Sequence, residues 1–136
     1  MPSIGFTGTR NGMDDHQKEV LTRLLDDFMD GDSVWEFHHG GCIGADLEAH
    51  HIADAAGFQT HVHLCDIKSM QGIKEGDRVY QEKPPLERNQ IIVKSCEMLI
   101  VAPRTNTEEI RSGTWATYRY AVREGIPTLV LWKKRL

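Results

Sequence analysis

Three short segments of this chain combine glycine with hydroxyl or basic side chains: Gly8-Thr9-Arg10, Gly40-Gly41-Cys42-Ile43-Gly44 and Arg111-Ser112-Gly113-Thr114. That combination suits a phosphate. Glycine lets the backbone approach an anion and take angles closed to other residues, and the open amides of a helix's first turn attract negative charge. Ser112 and Thr114 bring hydroxyl donors, and Arg88 or Arg111 brings a forked guanidinium. One such turn often serves only tight packing between a strand and a helix, whereas three together point to a pocket. The chain has no G-x-x-x-x-G-K-[ST] run, which argues against P-loop hydrolysis. Gly40, Gly41 and Gly44 are spaced G-G-x-x-G rather than as the dinucleotide fingerprint.

Histidines offer a second chemistry. His38, His39, His50, His51 and His61, with Asp46, are residue types that bind zinc or iron. His50 and His51 are neighbours on a helix and do not both face one ion, and no H-E-x-x-H or C-x-x-C frame accompanies them. No metal site and no cofactor are therefore expected, and His39 is taken as a polar lining of the pocket. Trp115, just after a glycine turn, is expected to face the pocket, and Trp35 to lie in the core.

These turns need elements to hold them. Residues 3–7 are an apolar run that stops at Gly8, the pattern of a buried strand feeding a turn. Asp14 starts a helix in which Val20, Leu21, Leu24, Leu25 and Phe28 recur at helical spacing, with Gly31 as the stop. A strand over 34–38, a helix over 45–56 and a strand over 59–64 follow. Residues 65–83 lose all pattern and are expected to be the longest loop, a mobile lid. Pro84 and Pro85 introduce a helix to residue 94, a strand covers 98–102, a helix covers 112–124, and a strand covers 127–132.

Strands alternating with helices predict a single α/β domain over residues 1–136. The expected fold is Rossmann-like and three-layered, with a parallel sheet of about five strands ordered 3-2-1-4-5 between helices. The ligand is then expected beyond the carboxyl ends of the strands where the order reverses, between the first and fourth. All three glycine turns converge there.

Composition narrows the partner. The chain has 136 residues, 16 Lys and Arg against 20 Asp and Glu, and a formal charge of −4, so extended nucleic acid is disfavoured. No apolar stretch approaches the ~20 residues of a membrane span, and no basic, apolar leader opens the chain. A cytoplasmic address is the expectation. Cys42, Cys65 and Cys96 lack paired spacing and are expected to be reduced.

The order of Gly8-Thr9-Arg10, Gly40-Gly41-Cys42-Ile43-Gly44-Ala45-Asp46 with His50, Glu87-Arg88-Asn89, and Ser112-Gly113-Thr114 with Thr117 resembles the SLOG superfamily. This superfamily contains the DprA/Smf and Lonely Guy (LOG) proteins, which are Rossmann-like nucleotide binders, and the likeness spans almost the whole chain. LOG phosphoribohydrolases carry G-G-x-G-T-x-x-E. Here Ser112 stands among the glycines and Thr117 replaces the glutamate, which removes a carboxylate able to stabilise an oxocarbenium-like centre. The segment is closer to the S-G-[ST]-x-x-T of DprA, a family of single-stranded DNA binders.

The resemblance implies a nucleotide whose phosphate meets Gly40, Gly41, Ser112, Gly113 and Thr114. Arg88 and Asn89 lie beside it, Gly8, Thr9 and Arg10 form the floor, and Gly44 belongs to the same turn. Asp46 either accepts from ribose hydroxyls or is only a helix-start carboxylate. A nucleotide-binding domain is the first expectation. A nucleotide N-glycosidase using Asp46 or Glu87 is the alternative, and a DprA-like binder of nucleic acid is the second alternative. Related folds commonly form homodimers through their helices.

Overall fold

Apolar character on both faces decides which strands are central. Ser3–Gly8 (β1) and Met98–Ala102 (β5) bury both faces, as inner strands of a covered parallel sheet do. The computed structural model describes residues 2–29 and 31–135. Beside β1 and β5 lie Glu36–His39 (β2), Gln59–Cys65 (β3), Arg78–Lys83 (β4) and Thr128–Val130 (β6). Among the described residues these strands form one sheet in the order β4-β3-β2-β1-β5-β6, and every pair is parallel.

The expected five strands occur in their expected order, and β4 is an addition beside β3. It falls inside the segment expected to be a loop. Its sequence, RVYQEK, is mostly exposed at the sheet edge and has only Val79 and Tyr80 as apolar residues, so no alternating pattern marks it. The rest of that segment is tied down rather than free as a lid. The Gln71 side-chain amide donates to the carbonyls of Gly40 and Ile73 (3.0 and 2.8 Å), and its oxygen accepts from the Cys65 amide (2.9 Å). The Gly72 and Ile73 amides both donate to Gly41 O.

The helices are Asp15–Phe28 (α1), Ala45–Ala55 (α2), Pro85–Lys94 (α3) and Gly113–Arg123 (α4). At the start of α1, Asp14 accepts from the Gln17 amide and Gln17 Oε1 accepts from the Asp14 amide, a reciprocal cap. The Gln17 side chain is fully buried and also donates to Pro103 O and Leu131 O, which fastens α1 to the chain just past β5 and β6. On one face, Leu21 and Leu25 of α1 and Ala45, Ala49 and Ala53 of α2 pack on Ile4, Phe6, Phe37 and Ile100. On the other, Val93 of α3 and Ala121 of α4 pack on Leu99 and Val101. Gly8 sets the closeness of α2, because a Cβ there would stand 2.5 Å from that of Ala45. Trp35 lies against Phe28 and Phe58, in the core as expected.

Candidate functional site

The chain leaves β1 for α1 on one face and leaves β5 for α4 on the other. Between the diverging loops a cavity of about 430 Å³ opens at the carboxyl ends of the strands, the reversal point of the sheet. Its floor includes Gly8, Thr9 and Arg10, and Asp46 at the start of α2 faces it. Arg88 and Asn89 of α3 and Ser112, Gly113 and Thr114 at the start of α4 complete the walls among the expected residues.

The start of α4 is the part best suited to an anion. Ser112 caps the helix, its Oγ accepting from the Trp115 amide (3.3 Å). The amides of Gly113 and Thr114 precede any intrahelical acceptor and donate to nothing else among the described residues. Thr117, also in the wall, donates its hydroxyl to Gly113 O (2.9 Å).

The G-G-x-x-G turn does other work. The Gly40 and Cys42 amides donate to Asp46 Oδ2 (3.1 and 3.3 Å), and the Gly41 amide donates to His39 Nδ1 (2.9 Å). Gly40, Gly41 and Gly44 do not line the cavity. Gly44 has φ 96°, and a Cβ there would stand 2.4 Å from Arg10 O, so its requirement is conformational and steric. A Cβ on Gly40 would stand 2.6 Å from an Arg88 guanidinium nitrogen.

Arg88 is 3% exposed. One guanidinium nitrogen donates to Gly40 O (2.9 Å) and His63 O (3.1 Å), the second lies 3.4 Å from Cys42 Sγ, and Nε donates to Asn89 Oδ1 (2.9 Å). Nε and the first terminal nitrogen are thus engaged by oxygens of the protein, while the second terminal nitrogen has only the sulfur contact, in the wall of the cavity. A smaller cavity of about 150 Å³, lined by His63, Tyr80 and Ile91, also has Arg88 in its wall. The unengaged cations are Arg10 and Arg111, both exposed and in no ion pair among the described residues.

Asp46 is the buried acid of the cavity. Oδ2 takes the two turn amides, while Oδ1 is buried with no hydrogen-bond partner. Burial pushes its carboxyl up to about 6, against the pull of Arg88 and the turn amides. The same burial, with Asp46 alongside, pushes the Cys42 thiol up to about 11, so it is no ready nucleophile.

Several expectations are corrected here. Glu87 is exposed and outside the cavity, because its turn of α3 points Arg88 inward instead. Trp115 turns away from the cavity to pack beside Tyr118 and Trp132. His39 is fully buried beneath the turn, 2.9 Å from His50 Nδ1, and held well below its ordinary range by burial and then by His50. Arg104, one of the arginines that the sequence places beside these loops, lines the cavity, and sequence reasoning missed Met70 and Glu109. Arg104 and Glu109 form an ion pair at 2.5 Å in the loop after β5, a position beside the reversal point that could have flagged Glu109 as well. Met70 arrives from the single turn Lys68–Met70, which carries no such signal.

No family model matches the chain, and no curated protein matches it in sequence. Solved structures do match. The chain is similar to the molybdenum cofactor binding protein from the phototrophic bacterium Rippkaea orientalis, at 20% identity and TM-score 0.70, over 95% of this chain and 75% of that one. It is similar also to DNA processing protein A (DprA) from Streptococcus pneumoniae, at 18% identity and TM-score 0.67, over 96% of this chain and 50% of that one. The chain shares the parallel α/β fold of these proteins.

The fold likeness extends to DprA from Helicobacter pylori, which is described for its single-stranded DNA binding mode. That match has 20% identity and TM-score 0.68 over 99% of this chain and 66% of that one. These proteins divide by partner, a small cofactor for one and DNA for another, so the expectation that nucleic acid is disfavoured gains no support from them. Among the described residues no helix is long and apolar enough to cross a membrane.

Proposed function

We propose that this protein binds a nucleotide or nucleotide-derived small molecule in the cavity between β1 and β5, with a phosphate at the start of α4. The observation that carries the reading is the pair of unpartnered amides at Gly113 and Thr114, in a cavity whose wall also contains the unpaired cations Arg10 and Arg111. Thr9, Ser112 and Thr114 supply further polar edges. A volume of about 430 Å³ suits a ligand of nucleotide size. The likeness to a cofactor-binding protein supports a small-molecule ligand of this kind.

Calorimetric titration with a panel of nucleoside monophosphates tests the reading. Arg10→Ala and Arg111→Ala should each weaken binding by about 10-fold or more, the loss of a charged hydrogen bond worth about 1.5–3 kcal/mol. Unchanged affinity in the double variant would refute the anion site. A single-stranded oligonucleotide in the same titration separates a small ligand from a nucleic-acid partner.

The second reading, a nucleotide N-glycosidase, is favoured by one feature, the buried carboxylate with a raised pKa on the cavity wall. Asp46 would then stabilise charge at the anomeric carbon or take a proton from water. Free base released from a monophosphate, and abolished by Asp46→Asn, is the required result.

A further inference from the structure

The sheet face under α3 and α4 changes character along its length. Toward β6 it is apolar, with Leu99 and Val101, but across β2, β3 and β4 it carries His38, His61, His63 and Tyr80. His38 and His61 are register partners on adjacent strands, 2% and 3% exposed, with ring centroids 4.4 Å apart. Glu36, the first residue of β2, points along the same face. Its Oε1 lies 2.9 Å from His38 Nε2 and its Oε2 lies 3.9 Å from His61 Nε2.

One ligand atom from each of the three residues falls within 4.8 Å of the others. Two donors bound to one tetrahedral Zn²⁺ at about 2.0–2.1 Å stand about 3.3 Å apart. The observed separations of 2.9 and 3.9 Å bracket that spacing. Small side-chain rotations close the difference.

The far nitrogens are the second observation. His38 Nδ1 lies 2.8 Å from His63 Nε2, and His61 Nδ1 lies 2.8 Å from the Tyr80 hydroxyl. Metal-bound histidines use an outer partner of this kind to fix the ring and its tautomer. With both Nε2 lone pairs directed at a metal, each ring proton sits on Nδ1. His38 then donates to His63 Nε2, and His61 donates to the Tyr80 oxygen. Tyr80 stacks flat on His63, at 4.2 Å and 2°, so the outer pair is itself fixed. Arg78, over the Tyr80 ring, supplies an opposing positive charge that the Glu36 carboxylate offsets.

We propose that Glu36, His38 and His61 form a site for a divalent transition metal, Zn²⁺ by the chemistry of two imidazoles and one carboxylate. It lies at the amino ends of β2 and β3, the opposite end of the strands from the cavity. Glu36 is partly exposed and gives the ion its entry path, and Gln59 Oε1, 2.9 Å from His61 Nε2, stands beside the remaining coordination position.

Titration of the metal-free chain with Zn²⁺, and with Co²⁺ followed by visible absorption, tests the site. One ion per chain should bind, with Co²⁺ giving the intense bands of a four-coordinate nitrogen and oxygen environment. Glu36→Gln and His61→Asn should each weaken binding at least 10-fold, with the far-ultraviolet circular dichroism of the metal-free variants unchanged. His51→Gln, on the exposed side of α2, should leave it unaltered. Absence of binding, or binding lost in His51→Gln and retained in Glu36→Gln, would overturn the proposal. If His61→Asn fails to fold, Glu36→Gln alone decides.

Discussion

Replacing Asp46 by Asn should make this protein more stable at pH 7. Burial raises the Asp46 carboxyl from 3.8 to about 6, and one pKa unit corresponds to about 1.4 kcal/mol, so the ionised form costs the folded state about 3 kcal/mol at neutral pH. Asparagine keeps an oxygen for the Gly40 and Cys42 amides but gives up the extra strength of a charged acceptor, which lowers the net gain to about 1–3 kcal/mol. The sign has a signature in pH. A carboxyl whose folded pKa lies above its unfolded value binds protons more tightly when folded, so its stabilisation is fully present below pH 3.8 and lost as pH rises to about 6. Urea unfolding of both proteins across pH 4–7 measures it. For an m-value of about 2 kcal/mol/M, the midpoint of Asp46→Asn should exceed the wild type by about 0.5–1.5 M at pH 7, with the gap closing toward pH 4. Equal or lower midpoints at pH 7, with parallel pH profiles, would show that the carboxylate is not held at a cost, and the case for Asp46 as a functional group would fall with it.

Arg88→Ala should act on stability before it acts on any ligand. It leaves the buried His63 carbonyl without its donor and removes the positive charge that faces Asp46, a loss of about 3–5 kcal/mol that urea unfolding would report. A loss under about 1 kcal/mol would mean that the guanidinium is free to serve the cavity. Gly8→Ala should cost about 1–3 kcal/mol by forcing α2 off β1, seen as a lowered Tm.

The alternation of apolar runs with helical periods was enough to place β1, β2, β3, β5 and β6 in order, and with them the reversal point where the cavity lies. Residues 8–10 and 112–114 could be assigned to that cavity because strand-end turns at a reversal point have nowhere else to converge. The Gly40-Gly41-Cys42-Ile43-Gly44 turn was legible as tight but not as internally satisfied. Only the fold shows that Asp46 and His39 consume its amides. The structural bonds of Arg88 were hidden for the same reason, since its carbonyl partners at Gly40 and His63 are 48 and 25 residues away along the chain. The histidines of β2 and β3 likewise needed strand register, which no local pattern supplies.

The strand without an apolar signature has a use of its own. β3 is the longest strand of the sheet and, left open, would offer seven residues of unpaired backbone to another chain. Along most of its length β4 covers that ladder and presents solvent with Arg78, Glu82 and Lys83 before Pro84 and Pro85 end the run, while β6 closes the opposite side with only three residues. Both margins are thus poor templates for strand addition. The polar composition that hides β4 from a sequence reader is what keeps neighbouring molecules from zipping onto the sheet.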